Sequence, residues 1–233
     1  MKINIYLEKK ILNKINQFST NYYFQNLTDS GHINKINPLM FYFRNYNILG
    51  NNNNRLTLTD QETNYLIKKT DLSQINILGQ DSLMCILAET DSNFLFNKNQ
   101  ITYLMKNSNL DLYDVKQKNS LYYAINNTKN KFIIDYLFLN SPANPEYNQR
   151  TVLPLPILLI NIKRTDLLHI FFERNKINKP EKIRPYLNHF ENFKMIYKKE
   201  IFFDLKNTLL AELEKHLIKQ SLKIKKNIMI NKL

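Results

Sequence analysis

Residues 65–83 read YLIKKTDLSQINILGQDSL, and residues 103–121 read YLMKNSNLDLYDVKQKNSL. At an offset of 38 residues the two stretches align without a gap. Tyr65-Leu66-Ile67-Lys68 falls on Tyr103-Leu104-Met105-Lys106, and Leu72 falls on Leu110. Ile75, Asn76 and Ile77 then meet Tyr113, Asp114 and Val115, and Ser82-Leu83 meets Ser120-Leu121. The correspondence runs through a polar connector as well as its apolar flanks. An internal period of this length is the signature of stacked supersecondary units, each unable to bury its apolar face alone.

Outward from this pair, a second offset of 34 residues reaches the next copy. Leu121 meets Leu155, Ile133-Ile134 meets Leu167-Leu168, and Tyr136-Leu137 meets Ile170-Phe171. Four copies result, each with a short first helix, a turn, a second helix and a connector. The turn between the helices varies in length, and its additions are polar. The longest contains Asn51 to Asn54, a run that favours turns and reads as a loop insertion. Insertions confined to one point of the unit are what a repeat array tolerates.

The first helices open with the tetrads NPLM at 37–40, DSLM at 81–84, NSLY at 119–122 and LPLP at 153–156. The second helices read QITYLMKNSN, KFIIDYLFLNS and TDLLHIFFERN. Over about residues 37–178 these units resemble ankyrin repeats, whose first helix opens with Thr-Pro-Leu-His. The small residue after the tetrad survives as Ala124, while the tetrad histidine, the turn Gly-His and the glycine that ends the second helix are missing. HEAT and TPR arrays, with periods of about 40–47 and 34, are the other α-solenoids to weigh.

The resemblance implies an all-α, ankyrin-like α-solenoid of helix-hairpin repeats with helical caps at both ends. Residues 1–36 are expected to hold an N-terminal capping helix, 37–180 about four degenerate repeats, and 181–233 a C-terminal helical cap with a basic tail. Leu7, Ile11, Ile15 and Phe18 form the stripe of an amphipathic helix within about residues 5–27. Phe202, Leu205, Leu209, Leu213 and Leu217 do the same for a helix over roughly 199–226, after a break marked by Pro180 and Pro185. Leu83, Leu121 and Leu155 are expected in the core of the first-helix layer, and Leu104, Leu137 and Phe171 in that of the second.

Composition agrees with a packed helical chain. It is 43% hydrophobic and 12% aromatic, enough to fill a core, and its three glycines are too few for the turns of a β-sandwich. The first twenty residues lack the apolar run of a secretion signal. No stretch reaches the roughly 18 apolar residues of a bilayer span. A soluble cytoplasmic protein is therefore expected.

A search for chemistry returns little. The single cysteine, Cys85, excludes an internal disulfide or a cysteine-built zinc site. It aligns with Tyr123 and Ile157, positions expected to face neighbouring units, where a thiol is inert. The histidines, His32, His169, His189 and His216, are scattered, and Gly31, Gly50 and Gly79 lie too far apart for a phosphate loop. Asp111 and Asp114 read as connector residues, and Glu212 and Glu214 as the wet side of a helix. No catalytic, cofactor-binding or metal-ligating residue is assigned, and the chain is not expected to be an enzyme.

What remains is binding. Repeat arrays expose connector tips and first-helix positions as an extended surface. The expected tips are residues 77–80, 115–118 and 147–150. The expected partner-binding residues are Lys116, Gln117, Lys118, Tyr147, Gln149 and Arg150, facing another protein with an acidic surface. The resemblance extends to degenerate ankyrin-type proteins that intracellular bacteria deliver into host cells as effectors, so a host protein is one expected partner. The alternative lies in the tail. Net charge is +13, and six lysines with no acid fall between Lys215 and Leu233. Such a stretch suits non-specific binding to nucleic acid or an anionic surface, and equally a solvated helix face.

Overall fold

The computed structural model describes residues 2–17, 24–25, 35–42, 58–88, 97–128, 130–141 and 153–230. Among these the chain is all-helical, with no β-strand. It divides into two compact units, Met1–Ser141 and Pro142–Leu233. The boundary falls inside the 37–180 span expected for the repeats.

The first unit holds α1 (Lys2–Gln17), a helical turn at 38–42, α2 (Asp60–Lys69), α3 (Ser82–Ala88), α4 (Lys98–Asn107), α5 (Ser120–Asn127) and α6 (Lys131–Asn140). The sequence repeat reappears in its helix caps. The side chains of Asn37, Asp81 and Asn119 each accept the backbone N–H three residues on, at 2.8, 2.8 and 2.9 Å. These bonds satisfy amides that a helix N-terminus otherwise leaves orphaned. Thr59 with Glu62, and Asn97 with Gln100, form reciprocal capping boxes that start α2 and α4.

The second helices also end alike. Thr70, Ser108 and Ser141 adopt extended backbone, and each donates its N–H back to a leucine carbonyl, of Leu66, Leu104 and Leu137. Extended backbone needs no positive φ, so no glycine is required at these three positions.

Like helices pack on like. α3 lies against α5, α2 against α4, and α5 forms a hairpin with α6. Asn37 Nδ2 donates to Ser82 Oγ at 3.0 Å, and Asn127 Nδ2 covers the end of α3 by donating to the carbonyls of Leu87 and Ala88. Leu83, Leu104, Leu121 and Leu137 are all buried.

α1 packs against α2. Ile11 and Ile15 are fully buried and Leu7 half-buried, while Phe18 lies outside the described residues. The helix is described to Gln17, and Phe24 and Gln25, inside the expected span to 27, are not helical. Asn16 exchanges two hydrogen bonds with the backbone of Phe24, in a non-helical stretch whose ring packs edge-on against Phe41. Glu62, almost wholly buried, ties α1 down by pairing with Lys14 at 2.7 Å and Lys10 at 3.1 Å. The Asn51–Asn54 run lies outside the described residues.

The second unit holds α7 (Leu155–Asn161), α8 (Thr165–Arg174), a 3-10 turn (Pro180–Ile183), α9 (Arg184–Glu191) and α10 (Lys199–Ile230). α7 and α8, the fourth expected copy, form a hairpin, and α10 packs on both. Of the expected stripe on α10, Phe202, Leu205, Leu209 and Leu213 are buried and Leu217 is half-buried, and His216 of the same helix is buried as well. α10 runs four residues past its expected end. Pro180 opens the 3-10 turn and Pro185 opens α9, positions where a missing N–H costs nothing. Phe190 stacks on Phe202 at 4.4 Å, joining α9 to α10.

Leu121→Ala and Leu137→Ala each remove a leucine no more than 3% exposed. Each is expected to lower stability by about 2–5 kcal/mol in urea unfolding. A loss under about half a kcal/mol would place the side chain outside the core.

Candidate functional site

The two described connectors carry one turn, built twice. In residues 76–80 the N–H of Asn76 donates to the Gln80 carbonyl, and that of Gly79 to the Asn76 carbonyl. In residues 114–118 the Asp114 and Gln117 amides do the same to Lys118 and Asp114. Asn76 Oδ1 accepts the N–H of Leu78 and Gln80, as Asp114 Oδ1 accepts those of Lys116 and Lys118. Both turns need a left-handed residue at the fourth position, and it is Gly79 (φ 74°) in one and Gln117 (φ 59°) in the other. The turns also touch, because Val115 N–H donates to the Leu78 carbonyl at 2.9 Å.

Beneath the turns lies a buried polar network. Tyr123 donates its hydroxyl to Asp114 Oδ2 at 2.6 Å and accepts from Gln80 Nε2 at 2.7 Å. Asn76 Nδ2 donates to Gln80 Oε1 at 3.1 Å and reaches Cys85 Sγ at 3.5 Å. Burial first, and then the adjoining Asp114 carboxylate, push the Tyr123 hydroxyl well above its ordinary pKa, so it stays a donor. Cys85 is 4% exposed inside this network. The side-chain amides of Asn76 and Gln80 lie against its sulfur.

The outward face of the connectors is more apolar than expected. Ile77 and Val115 are 58% and 62% exposed, and Ile75 and Leu78 are open as well. Lys116 is exposed. Gln117 and Lys118 are half-buried, and the Lys118 ammonium sits 4.9 Å from the centre of the Tyr122 ring. Gln80, expected at a tip, instead turns inward to Tyr123. The structure thus brings Lys116, Gln117 and Lys118 together. Tyr147, Gln149 and Arg150 lie outside the described residues. Ile77, Leu78 and Val115 lie at the expected tips and are exposed, though they were not among the expected partner-binding residues.

Asp81 caps α3 beside this network and is 1% exposed. Its Oδ2 finds no partner among the described residues. Burial raises its pKa to about 6, against the lowering pull of the Met84 and Leu83 amides. Glu62 moves the other way. Its burial would raise the pKa, but hydrogen bonds from Lys14, the Thr59 amide and Lys10 outweigh this and bring it to about 2.

In the second unit, His169 Nε2 lies 3.1 Å from Glu212 Oε2, and His169 Nδ1 lies 3.4 Å from His216 Nδ1. Glu212 is not on the wet side of its helix as expected. Its side chain is only 13% exposed and also accepts from Lys215. Burial, and next the charge of His169, lower the His216 pKa. No group of three metal-ligating side chains occurs among the described residues. A cleft of about 370 Å³ between α2 and α4 is lined by Asn64, Lys68, Asn97, Gln100 and Tyr103, with no carboxylate or histidine in its wall.

No protein-family model, no curated protein and no solved structure matches the chain.

Two outcomes test this site. A Cβ on residue 79 would meet the Asp114 Cα at 3.3 Å in a left-handed backbone, so Gly79→Ala is expected to cost about 1–2 kcal/mol. Asp81, with a raised pKa, favours folding while protonated. Its contribution is complete below about pH 4 and lost as pH rises through about 6, on the order of 3 kcal/mol. Asp81→Asn, the residue found at the matching caps 37 and 119, should flatten that slope in urea unfolding and stabilise the protein near neutrality. An unchanged slope would locate the titration elsewhere.

Proposed function

We propose that the chain is a protein-binding module whose helix pairs form an ankyrin-like α-solenoid and whose connector tips engage the partner. The observation that carries this is the repeated turn. Asn76–Gln80 and Asp114–Lys118 have the same internal hydrogen bonds, are joined through Val115 N–H, and are anchored from below by Tyr123. Their polar groups are spent on one another, so the side chains left outward are free to meet something else. Those are Ile77, Leu78, Val115 and Lys116, apolar residues beside a charge on a pre-organised backbone. Rigid presentation lowers the ordering cost of association, and a compact apolar centre is where binding energy concentrates.

The partner that fits is a protein segment with aliphatic side chains next to carboxylates. On this reading it is met in a cytoplasm, that of the producing cell or of a host into which the chain is delivered. The reading involves no cofactor and no reaction.

The test compares the unaltered chain with two variants by quantitative mass spectrometry of captured proteins. Ile77→Asp with Val115→Asp is expected to lose the specific partner by on the order of thirtyfold, with helicity by circular dichroism unchanged. Charge reversal at Lys116, Lys118 and Arg150 is expected to weaken it less, because salt screens exposed charges. A partner retained by both variants would contradict the assignment to the connector tips.

A further inference from the structure

The last turns of α10 leave the core. Phe202, Leu205, Leu209 and Leu213 are buried against the rest of the second unit, but beyond Leu217 the aliphatic residues turn outward. Ile218, Leu222 and Ile224 are 53%, 60% and 60% exposed. The helix nevertheless continues to Ile230, roughly 20 Å past Leu217 at the usual rise. At about 100° per residue, Ile218 and Leu222 lie close together off the buried stripe, while Ile224 follows the direction of Leu213 and Leu217, so the exposed aliphatics spread over a broad arc of about 160°. Lys215, Lys219, Lys223 and Lys226 cluster beside that arc, with Lys225 at its middle. The acids of α10, Glu200, Asp204, Glu212 and Glu214, all precede this segment.

We propose that residues 215–230 form an interfacial anchor that lies on an anionic lipid surface, with Ile218, Leu222 and Ile224 entering the headgroup layer and the lysines meeting the lipid phosphates and carboxylates. Charge complementarity names the occupant: beyond Lys215, which pairs with Glu212, four lysines and no acid lie between 218 and 227. The interleaved aliphatics choose among anionic surfaces. They add nothing to phosphate contact along a nucleic acid, where arginine and stacking aromatics serve, and the segment has neither. A second copy of the helix fits less well. The column Phe203, Leu210, Leu217 and Ile224 repeats every seven residues, but the positions that would complete a coiled-coil seam are Asn207, Glu214 and Ser221 in one register, and Lys206, the already buried Leu213 and Gln220 in the other. No helix of the described residues is long and apolar enough to cross a membrane, so the anchor lies on the surface.

The test is co-sedimentation of the full chain with vesicles of phosphatidylcholine alone, and with vesicles that also contain phosphatidylserine. Binding to the anionic vesicles only is expected, falling as salt rises. Lys219→Gln, Lys223→Gln and Lys226→Gln together should lower partition on the order of a hundredfold. Leu222→Asn with Ile224→Asn should lower it at least about tenfold while keeping all five lysines. These side chains are exposed, so circular dichroism and urea unfolding should be unchanged in both variants. Four results would overturn the proposal: no binding to anionic vesicles, equal binding to neutral ones, an apolar variant that binds as the unaltered chain does, or concentration-dependent dimerisation lost with Leu222→Asn and Ile224→Asn. Tight binding of a single-stranded RNA that leaves the vesicles unbound would likewise replace the lipid surface with nucleic acid.

Discussion

The hydroxyl of Tyr123 holds the connector surface together. It donates to Asp114 in one turn and accepts from Gln80 in the other, and all three groups are buried. A buried polar group without a partner costs about 1–3 kcal/mol, so removing this one oxygen strands both Asp114 Oδ2 and Gln80 Nε2. Because each turn has already spent its own side-chain oxygen on its own amides, the bridge joins two rigid loops rather than two flexible ones. The Val115 amide and Leu78 carbonyl then meet at 2.9 Å, and the aliphatic tips acquire a fixed spacing. The fold supports this from below, since the α3–α5 packing sets the distance at which Tyr123 reaches Gln80.

Much of this was legible in the sequence because the repeat is physical at every level. Asn76 and Asp114, matched at the offset of 38, prove to be the residues that organise their turns. The periodic leucines of α10 fall on its buried face as the spacing requires. What escaped notice depends on distances between segments that no local pattern encodes. Gln80 looked like an exposed tip residue, yet it is drawn inward by a tyrosine 43 positions away. Glu212 looked solvated beside its lysines, yet His169 of α8 comes within 3.1 Å of it. Thr70, Ser108 and Ser141 end their helices in extended backbone, a geometry that needs no glycine.

The two units bear their charge differently. In the first, lysines are drawn into structure: Lys14 and Lys10 neutralise Glu62, and Lys118 covers the Tyr122 ring. Beyond Lys215, which pairs with Glu212, the sequence of α10 holds no acid, and its lysines stand beside exposed aliphatics. Charge with a buried partner is part of the fold, whereas charge gathered on one exposed face is available to a ligand.

The most direct measurement of the connector account is amide hydrogen exchange at Val115 in the unaltered chain and in Tyr123→Phe. If the turns are locked together, Val115 exchanges slowly in the unaltered protein, as helix-core amides do. In Tyr123→Phe its protection should then fall by on the order of ten- to a hundredfold, the kinetic image of two stranded polar groups. Fast exchange of Val115 in the unaltered protein, or protection that Tyr123→Phe leaves untouched, would contradict the account.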